Sequence, residues 1–222
     1  MSINNAIKKQ YLEAMGVQVW QERGASRVAD AAVAVPGIRS MSLNQLLLTV
    51  NDCQLCELSL SGESKVFPVN ANVTKWFIVS DVPLAENGNI ASIFTEKSGF
   101  LLREILSSVA EKIETTYITT AIKCVQAEQA PSRAQLRCCQ PYLMRQIALL
   151  KPDVVLLLGE SVAQSVLSKE QPLQQLRGQL HTIEHVNAPM VVTHHPDLLL
   201  TMPLLKREVW QDVQLAKALV EP

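Results

Sequence analysis

The 222-residue chain predicts an α/β fold, a three-layer open and mostly parallel sheet with helices on both faces. Three observations carry that prediction. Strand-like and helix-like segments alternate from residue 42 onward, the order that a sheet with crossover helices requires. The run "PDVVLLLG" (152–159) is apolar almost throughout, as in a strand buried on both faces. The β-branched run "TYITTAIKC" (116–124) ends in a cysteine at the carboxyl end of a strand, where such folds commonly place their sites.

The elements follow in order. "NNAIKKQYLEAMG" (4–16) predicts a short helix, capped by Asn4 or Asn5 and stopped by Gly16, with Ile7, Tyr11, Leu12 and Met15 on one face. "VQVW" (17–20) follows, and the Ala- and Val-rich stretch from Gly24 to Ser40, with Pro36 and Gly37, fits a linker or irregular strand. The expected division is therefore an N-terminal peptide over 1–24, a linker over 25–41 and a domain over 42–222. Within the domain, "SLNQLLLTV" (42–50) predicts a helix leading into Cys53, and "TKWFIVSDV" (74–82) a buried strand. "EKSGFLLREILSSVAEKI" (96–113) predicts a helix. Ser132 caps the helix expected over 132–151, which Pro141 should kink. "ESVAQSVLSK" (160–169) predicts a helix, "LRGQLH" (176–181) and "APMVVTHHP" (188–196) strands, and "LLKREVWQDVQLAKALV" (204–220) the closing helix.

Composition narrows the function classes. Hydrophobic residues make up 48% of the chain, enough for a sizeable core. The net charge is -1, so no global basic footprint of the kind that drives nucleic-acid binding is present, although a local basic face is compatible with it. The N-terminus has no apolar signal-peptide core, and no apolar run approaches the roughly 18 residues of a membrane span. The expectation is a cytoplasmic protein, in which five cysteines read as metal ligands plus spares and not as a disulfide framework.

Cys53 and Cys56 form C-x-x-C after a helix; Cys124 ends a strand; Cys139 lies in the next helix. Four converging thiolates suit either Zn(II) or an iron–sulfur cluster. The competing reading is an incidental C-x-x-C, with Cys124, Cys138 and Cys139 as small buried hydrophobes.

"NDCQLCEL", "WFIVSDVPLAEN", "IFTEKSGFLLREIL", "YITTAIKC", "CQPYLMRQIALLKPDVVLLLG", "LRGQLH" and "VVTHHPDLLL" resemble, in this order, the family-4 uracil-DNA glycosylases over about residues 43–218. The resemblance implies that Cys53, Cys56, Cys124 and Cys139 hold a [4Fe-4S] cluster, with Cys138 outside the motif. It also implies departures in the pocket. Ser80, Asp81, Val82, Pro83 and Leu84 stand where the family carries G-E-x-P-G, and Thr120 stands where it carries a uracil-reading Asn. Phe94 matches the aromatic that stacks on uracil, and His195 matches the catalytic His. Leu84 crowds a backbone that should approach the base, and Thr offers less to a base edge than an amide does. The expectation is a scaffold that kept its cluster and lost its catalysis, with Asp81, Phe94, Thr120 and His195 as a vestigial pocket. The alternatives are an active iron–sulfur glycosylase of base excision repair with altered base preference, or a nucleic-acid-binding module.

"QYLEAMGVQVWQERG" (10–24) is similar to the N-terminal peptide of the psi subunits of bacterial DNA polymerase III, themselves degenerate relatives of the glycosylase fold. That resemblance implies a non-catalytic accessory subunit. Its peptide docks on the clamp-loader ATPase subunits (gamma/tau) through Leu12, Met15, Val17 and Trp20. Its body binds the chi subunit and, through it, single-stranded DNA-binding protein. Peptide anchors of this kind fill grooves on a partner.

Overall fold

The computed structural model describes residues 15, 35–61, 64–68, 75–81, 83, 93–125, 130–184 and 186–220. The described body lies in a compact unit running from Val33 to Pro222. Of the four expected docking anchors only Met15 is described, and it is exposed; Leu12, Val17 and Trp20 lie outside the described residues, as do Val82 and Leu84.

Five strands form one sheet in the order β2-β1-β3-β5-β4: β1 (Trp76–Ser80), β2 (Tyr117–Thr120), β3 (Val154–Leu158), β4 (Leu180–Ile183) and β5 (Val186–Thr193). The pairs β1·β2, β1·β3 and β3·β5 are parallel, and only β4 runs antiparallel, against β5. The expected mostly parallel open sheet is thus present. Successive side chains of a strand point to opposite faces, and here both faces are apolar. Phe77, Val79, Val155, Leu157, Met190 and Val192 face one layer; Trp76, Ile78, Val154, Leu156, Leu158 and Val191 face the other. That is why these strands read as unbroken hydrophobic runs.

The helices are α1 (Leu43–Asn51), α2 (Glu57–Leu60), α3 (Glu96–Ser107), α4 (Arg133–Leu150), α5 (Glu160–Leu167), α6 (Leu173–Leu176), α7 (Pro196–Thr201) and α8 (Lys206–Val220). α4 and α5 cover one face through Leu136, Leu143, Ile147, Val162 and Val166, while α3 and α8 cover the other through Leu102, Leu106, Val209 and Val213. Ser42 and Ser132 cap α1 and α4 with reciprocal capping boxes to Gln45 and Gln135, satisfying backbone N–H groups that the first turn leaves unpaired. α4 contains Pro141.

Several boundaries are shorter than the sequence predicts. α3 stops at Ser107, and Ala110 follows with φ 61°, a left-handed conformation that ends the turn. β2 ends at Thr120, because beyond it the backbone leaves the ladder: Ala121 N–H and Ile122 N–H donate to the carbonyls of Ser80 and Asp81. Cys124 then reaches its place through an antiparallel bridge to Lys65. α2, α6 and α7 are each under two turns and give too little periodicity to be seen in sequence.

Candidate active site and thiol cluster

The carboxyl ends of β1, β2, β3 and β5 meet, the usual position for a site in a parallel sheet. In register Ser80 pairs with Thr120, so the last residue of β1 lies beside the last of β2. β5 ends at Thr193, His194 and His195 follow, and His195 is the N-cap of α7. Gly159, at φ 93°, follows β3; a Cβ there would sit 3.8 Å from His195 Cβ. That positive φ is one a side chain rarely adopts.

His195 stands between two carboxylates and a hydroxyl. Its Nε2 lies 3.0 Å from Ser80 Oγ and 4.0 Å from Asp81 Oδ1, and its Nδ1 lies 3.3 Å from Asp197 Oδ2. The Asp197 main-chain N–H donates to Nδ1 at 3.3 Å. Nδ1 thus faces both the main-chain N–H and the carboxylate of Asp197: protonated, it donates to Oδ2; unprotonated, it accepts from the amide and the imidazole carries its proton on Nε2. Whenever Nε2 carries a proton, Nε2–H donates to Ser80 Oγ, and the Ser80 hydroxyl donates to Asp81 Oδ1 at 3.4 Å. His195, together with Ser98 and Thr95 at the start of α3, holds the Asp197 carboxyl below the usual range, against the opposing effect of burial. Phe94 stacks at a tilt against the imidazole, with ring centroids 5.6 Å apart. Thr120 is fully buried, and its Oγ1 has no hydrogen-bond partner among the described residues. Phe94 also lines an open groove of about 590 Å³ between α3 and Ile118 of the edge strand β2.

The strand end that carries His195 is anchored from below. Asp212, fully buried on α8, accepts from Thr193 Oγ1 at 2.8 Å, from Arg177 Nε and Nη2 at 3.1 Å each, and from Gly178 N–H at 3.1 Å. Burial pushes its carboxyl up, opposed by Thr193 and Arg177. His194 Nε2 lies 2.8 Å from Glu208 Oε2, so the two adjacent histidines face different partners.

Sequence reasoning brought Asp81, Phe94, Thr120 and His195 forward, and the fold gathers them. It passed over Ser80 as a site residue, and Asp197, Arg177 and Asp212 altogether. Only the tetrapeptide "HHPD" hinted at Asp197, since a residue two beyond an N-cap can return a hydrogen bond. Nothing local marks Arg177 or Asp212, which meet across 35 residues.

A second locus lies between α1, α2, the 64–66 segment and α4. Val66 N–H donates to Lys123 C=O at 2.8 Å and Val125 N–H to Ser64 C=O at 2.9 Å, tying the chain after C-x-x-C to the exit of β2. The five cysteines collect here, none in a disulfide. Cys124 and Cys139 are buried, and burial pushes their thiols up to about 11 and about 12. Both also feel Cys56, and Cys124 feels Cys53. Burial likewise raises Cys138, which feels Cys56 and Cys53 and donates to the Leu55 carbonyl at 3.3 Å. Such a set of two buried and three half-buried thiols has the donor chemistry of a thiolate-bound metal cofactor, whose binding displaces the thiol protons. No three His, Cys, Asp or Glu side chains among the described residues are disposed around one metal ion.

Residues 67–214 match the model of the uracil DNA glycosylase superfamily. The chain belongs to that superfamily. It is 27% identical to the type-4 uracil-DNA glycosylase of Pyrobaculum aerophilum over 78% of this chain and 92% of that protein. The type-4 uracil-DNA glycosylase of Thermotoga maritima is also 27% identical (78% and 91% covered), and that of Archaeoglobus fulgidus 24% identical (77% and 89%).

These relatives correct the reading drawn from the N-terminal peptide. Proteins matched over nearly their whole length are named glycosylases, not psi subunits of DNA polymerase III. The expectation of a non-catalytic accessory subunit is overturned, and with it the clamp-loader, chi and single-stranded DNA-binding protein partners. The physical reason is one of scale: the psi resemblance rested on 15 residues with four anchors, whereas the glycosylase match spans the whole sheet. A short amphipathic stretch ending in Trp is too common a pattern to identify a partner. No helix among the described residues is long and apolar enough to cross a membrane.

Proposed function

We propose that the chain is a uracil-DNA glycosylase, hydrolysing the bond between an extruded base and its deoxyribose, with an iron–sulfur cluster held by its cysteines. The domain responsible runs over residues 42–222, within which the family match falls.

The observation that carries this reading is the hydrogen-bonded row from Asp197 through His195 and Ser80 to Asp81, with Phe94 against the imidazole. Phe94 provides a face on which a flipped base stacks. His195, oriented through Nδ1 by Asp197 and protonated at Nε2, donates to a base carbonyl as the bond from N1 to C1′ breaks and its electron pair moves onto the base. That donor is worth most in the transition state, where the charge develops. Asp81 lies on the same side and receives the proton of the water that adds to C1′. The Thr120 hydroxyl has no hydrogen-bond partner among the described residues, which suits a role on the base edge. It offers one donor where an amide offers a donor and an acceptor in a fixed plane, so base discrimination is weaker than an Asn would give.

Past His195 the chain carries Leu200, Met202 and Leu204, exposed at 44%, 53% and 92%. An apolar edge of this kind fills the gap that a flipped base leaves in the stack. It also explains how a chain of net charge -1 engages DNA without a broad basic face.

Cys53, Cys56, Cys124 and Cys139 are the cluster ligands in this proposal, and Cys138 stands outside. The pair Cys124 and Cys139 is split by fourteen residues, where structural zinc sites more often use two closely spaced pairs, and this supports the cluster reading. When bound, the cluster supplies cross-links between α1–α2, the exit of β2 and α4.

The test is base release from single- and double-stranded oligonucleotides carrying uracil, hypoxanthine or thymine. Uracil release that falls about 10²- to 10⁴-fold in His195→Ala is expected. No release from any substrate, or release unaffected by that change, overturns the proposal.

A further inference from the structure

Lys123 is one of the largest fully buried side chains in the protein, only 1% exposed. Its Nζ donates to Thr119 Oγ1 at 2.7 Å and to the Thr120 carbonyl at 2.6 Å, and lies 5.9 Å from the centroid of the Phe67 ring. Both acceptors are neutral. A buried cation is costly unless an opposite charge stands near it. Among the described residues no carboxylate does, and burial pushes the ammonium down to about 7; the titratable group that opposes this is Cys139, whose thiol also accepts the Lys123 main-chain N–H. Cys124 is the next residue in the chain. The side chain therefore has the thiol locus on one flank and, on the other, the end of β2 that presents Thr120.

We propose that Lys123 is a positioning residue that joins the cofactor site to the base site. Its cation balances the negative charge that four thiolates bring to an iron–sulfur cluster, and its two hydrogen bonds fix the Thr119–Thr120 end of β2. The inference rests on the cysteines holding such a cluster. It also explains a choice of residue. Met or Leu would fill the same volume without the cost of burial, so a lysine is suited to this place only if a negative group awaits it.

The test uses the anaerobically purified, iron-loaded full chain and its Lys123→Met and Lys123→Arg variants. Redox titration of the cluster in Lys123→Met is expected to give a more negative reduction potential, because removing a nearby cation disfavours the added electron. Iron loss to a chelator is expected to be about tenfold faster or more, the usual scale for removing an outer-shell partner. Lys123→Arg should restore both toward wild type. An iron-loaded Lys123→Met protein with unchanged potential and unchanged chelator resistance overturns the inference.

If Lys123→Met does not fold, the wild-type protein supplies the measurement. Acetic anhydride should label Lys123 more in the iron-free form than in the iron-loaded form, because the outer-shell contact is then lost. Equal labelling overturns the inference. A wild-type protein that contains no iron overturns the cluster reading as well as this one; iron with unchanged potential overturns this one alone.

Discussion

His195 Nε2 lies 3.0 Å from Ser80 Oγ, across 115 residues of sequence. The contact joins the ends of β1 and β5, which are separated in the sheet by β3. It gives the imidazole a hydrogen-bond partner that also touches Asp81, so one serine couples the proposed base-facing donor to the proposed water-facing carboxylate.

Ser80→Ala should lower uracil release about 10- to 100-fold, the value of one hydrogen bond to a group that gains charge. Ser80 is fully buried and small, so thermal stability should change little beside that loss. Release kinetics at saturating substrate and a melting curve on the same preparation decide it. A melting point that collapses with the rate would make Ser80 a packing residue.

Asp197 sets an acid limit. Its folded carboxyl titrates below the ordinary 3.8 because His195 bonds it. A depressed folded pKa stabilises the native state above the unfolded value, and that contribution is lost as pH falls through the folded one. Urea midpoints measured from about pH 5 to about pH 2 should therefore fall more steeply in wild type than in Asp197→Asn. The side chain is 44% exposed, so the difference should also shrink in high salt.

Asp212→Ala should cost about 1–3 kcal/mol, because Arg177, only 12% exposed, loses its two bonds to that carboxylate and keeps Glu208 alone as a charged partner. Equilibrium urea unfolding measures this. The same variant should retain uracil release below its melting temperature if the network supports the fold beneath the strand end and takes no part in the chemistry.

Among the cysteines, Cys124→Ser and Cys139→Ser should bleach the brown colour and reduce iron from about four per chain, whereas Cys138→Ser should keep both. Iron analysis and visible spectra separate the cases. A bleached Cys138→Ser protein would assign the fourth ligand to Cys138, whose thiol reaches the C-x-x-C loop at Leu55.

Much of the fold was legible without coordinates. β1 and β3, and β5 from Met190 to Thr193, are buried on both faces, so their apolar runs are continuous and hard to mistake. α1 and α4 announce their starts because Ser42 and Ser132 are each followed three residues later by Gln. The end of β2 was misplaced for the opposite reason. "AIKC" has the composition of a strand, but its amides bond to the chain leaving β1, a long-range event with no local signature.

The sequence alone determined which residues had the chemistry: cysteines at cluster spacing, a His in "HHP", an aromatic before a helix cap. It also invited an error at the N-terminus, where a few apolar positions resembled a docking peptide and a family match over the whole sheet weighed against it. Only the tertiary structure decided partnership. Which nitrogen of His195 is the donor depends on Asp197 and Ser80. The buried Lys123 ammonium meets the end of β2 at Thr119 and Thr120, and the end of β5 is held by Asp212 and Arg177. Hydrogen bonds and ion pairs act over a few ångströms in space, and the chain brings these groups together only after the sheet has formed.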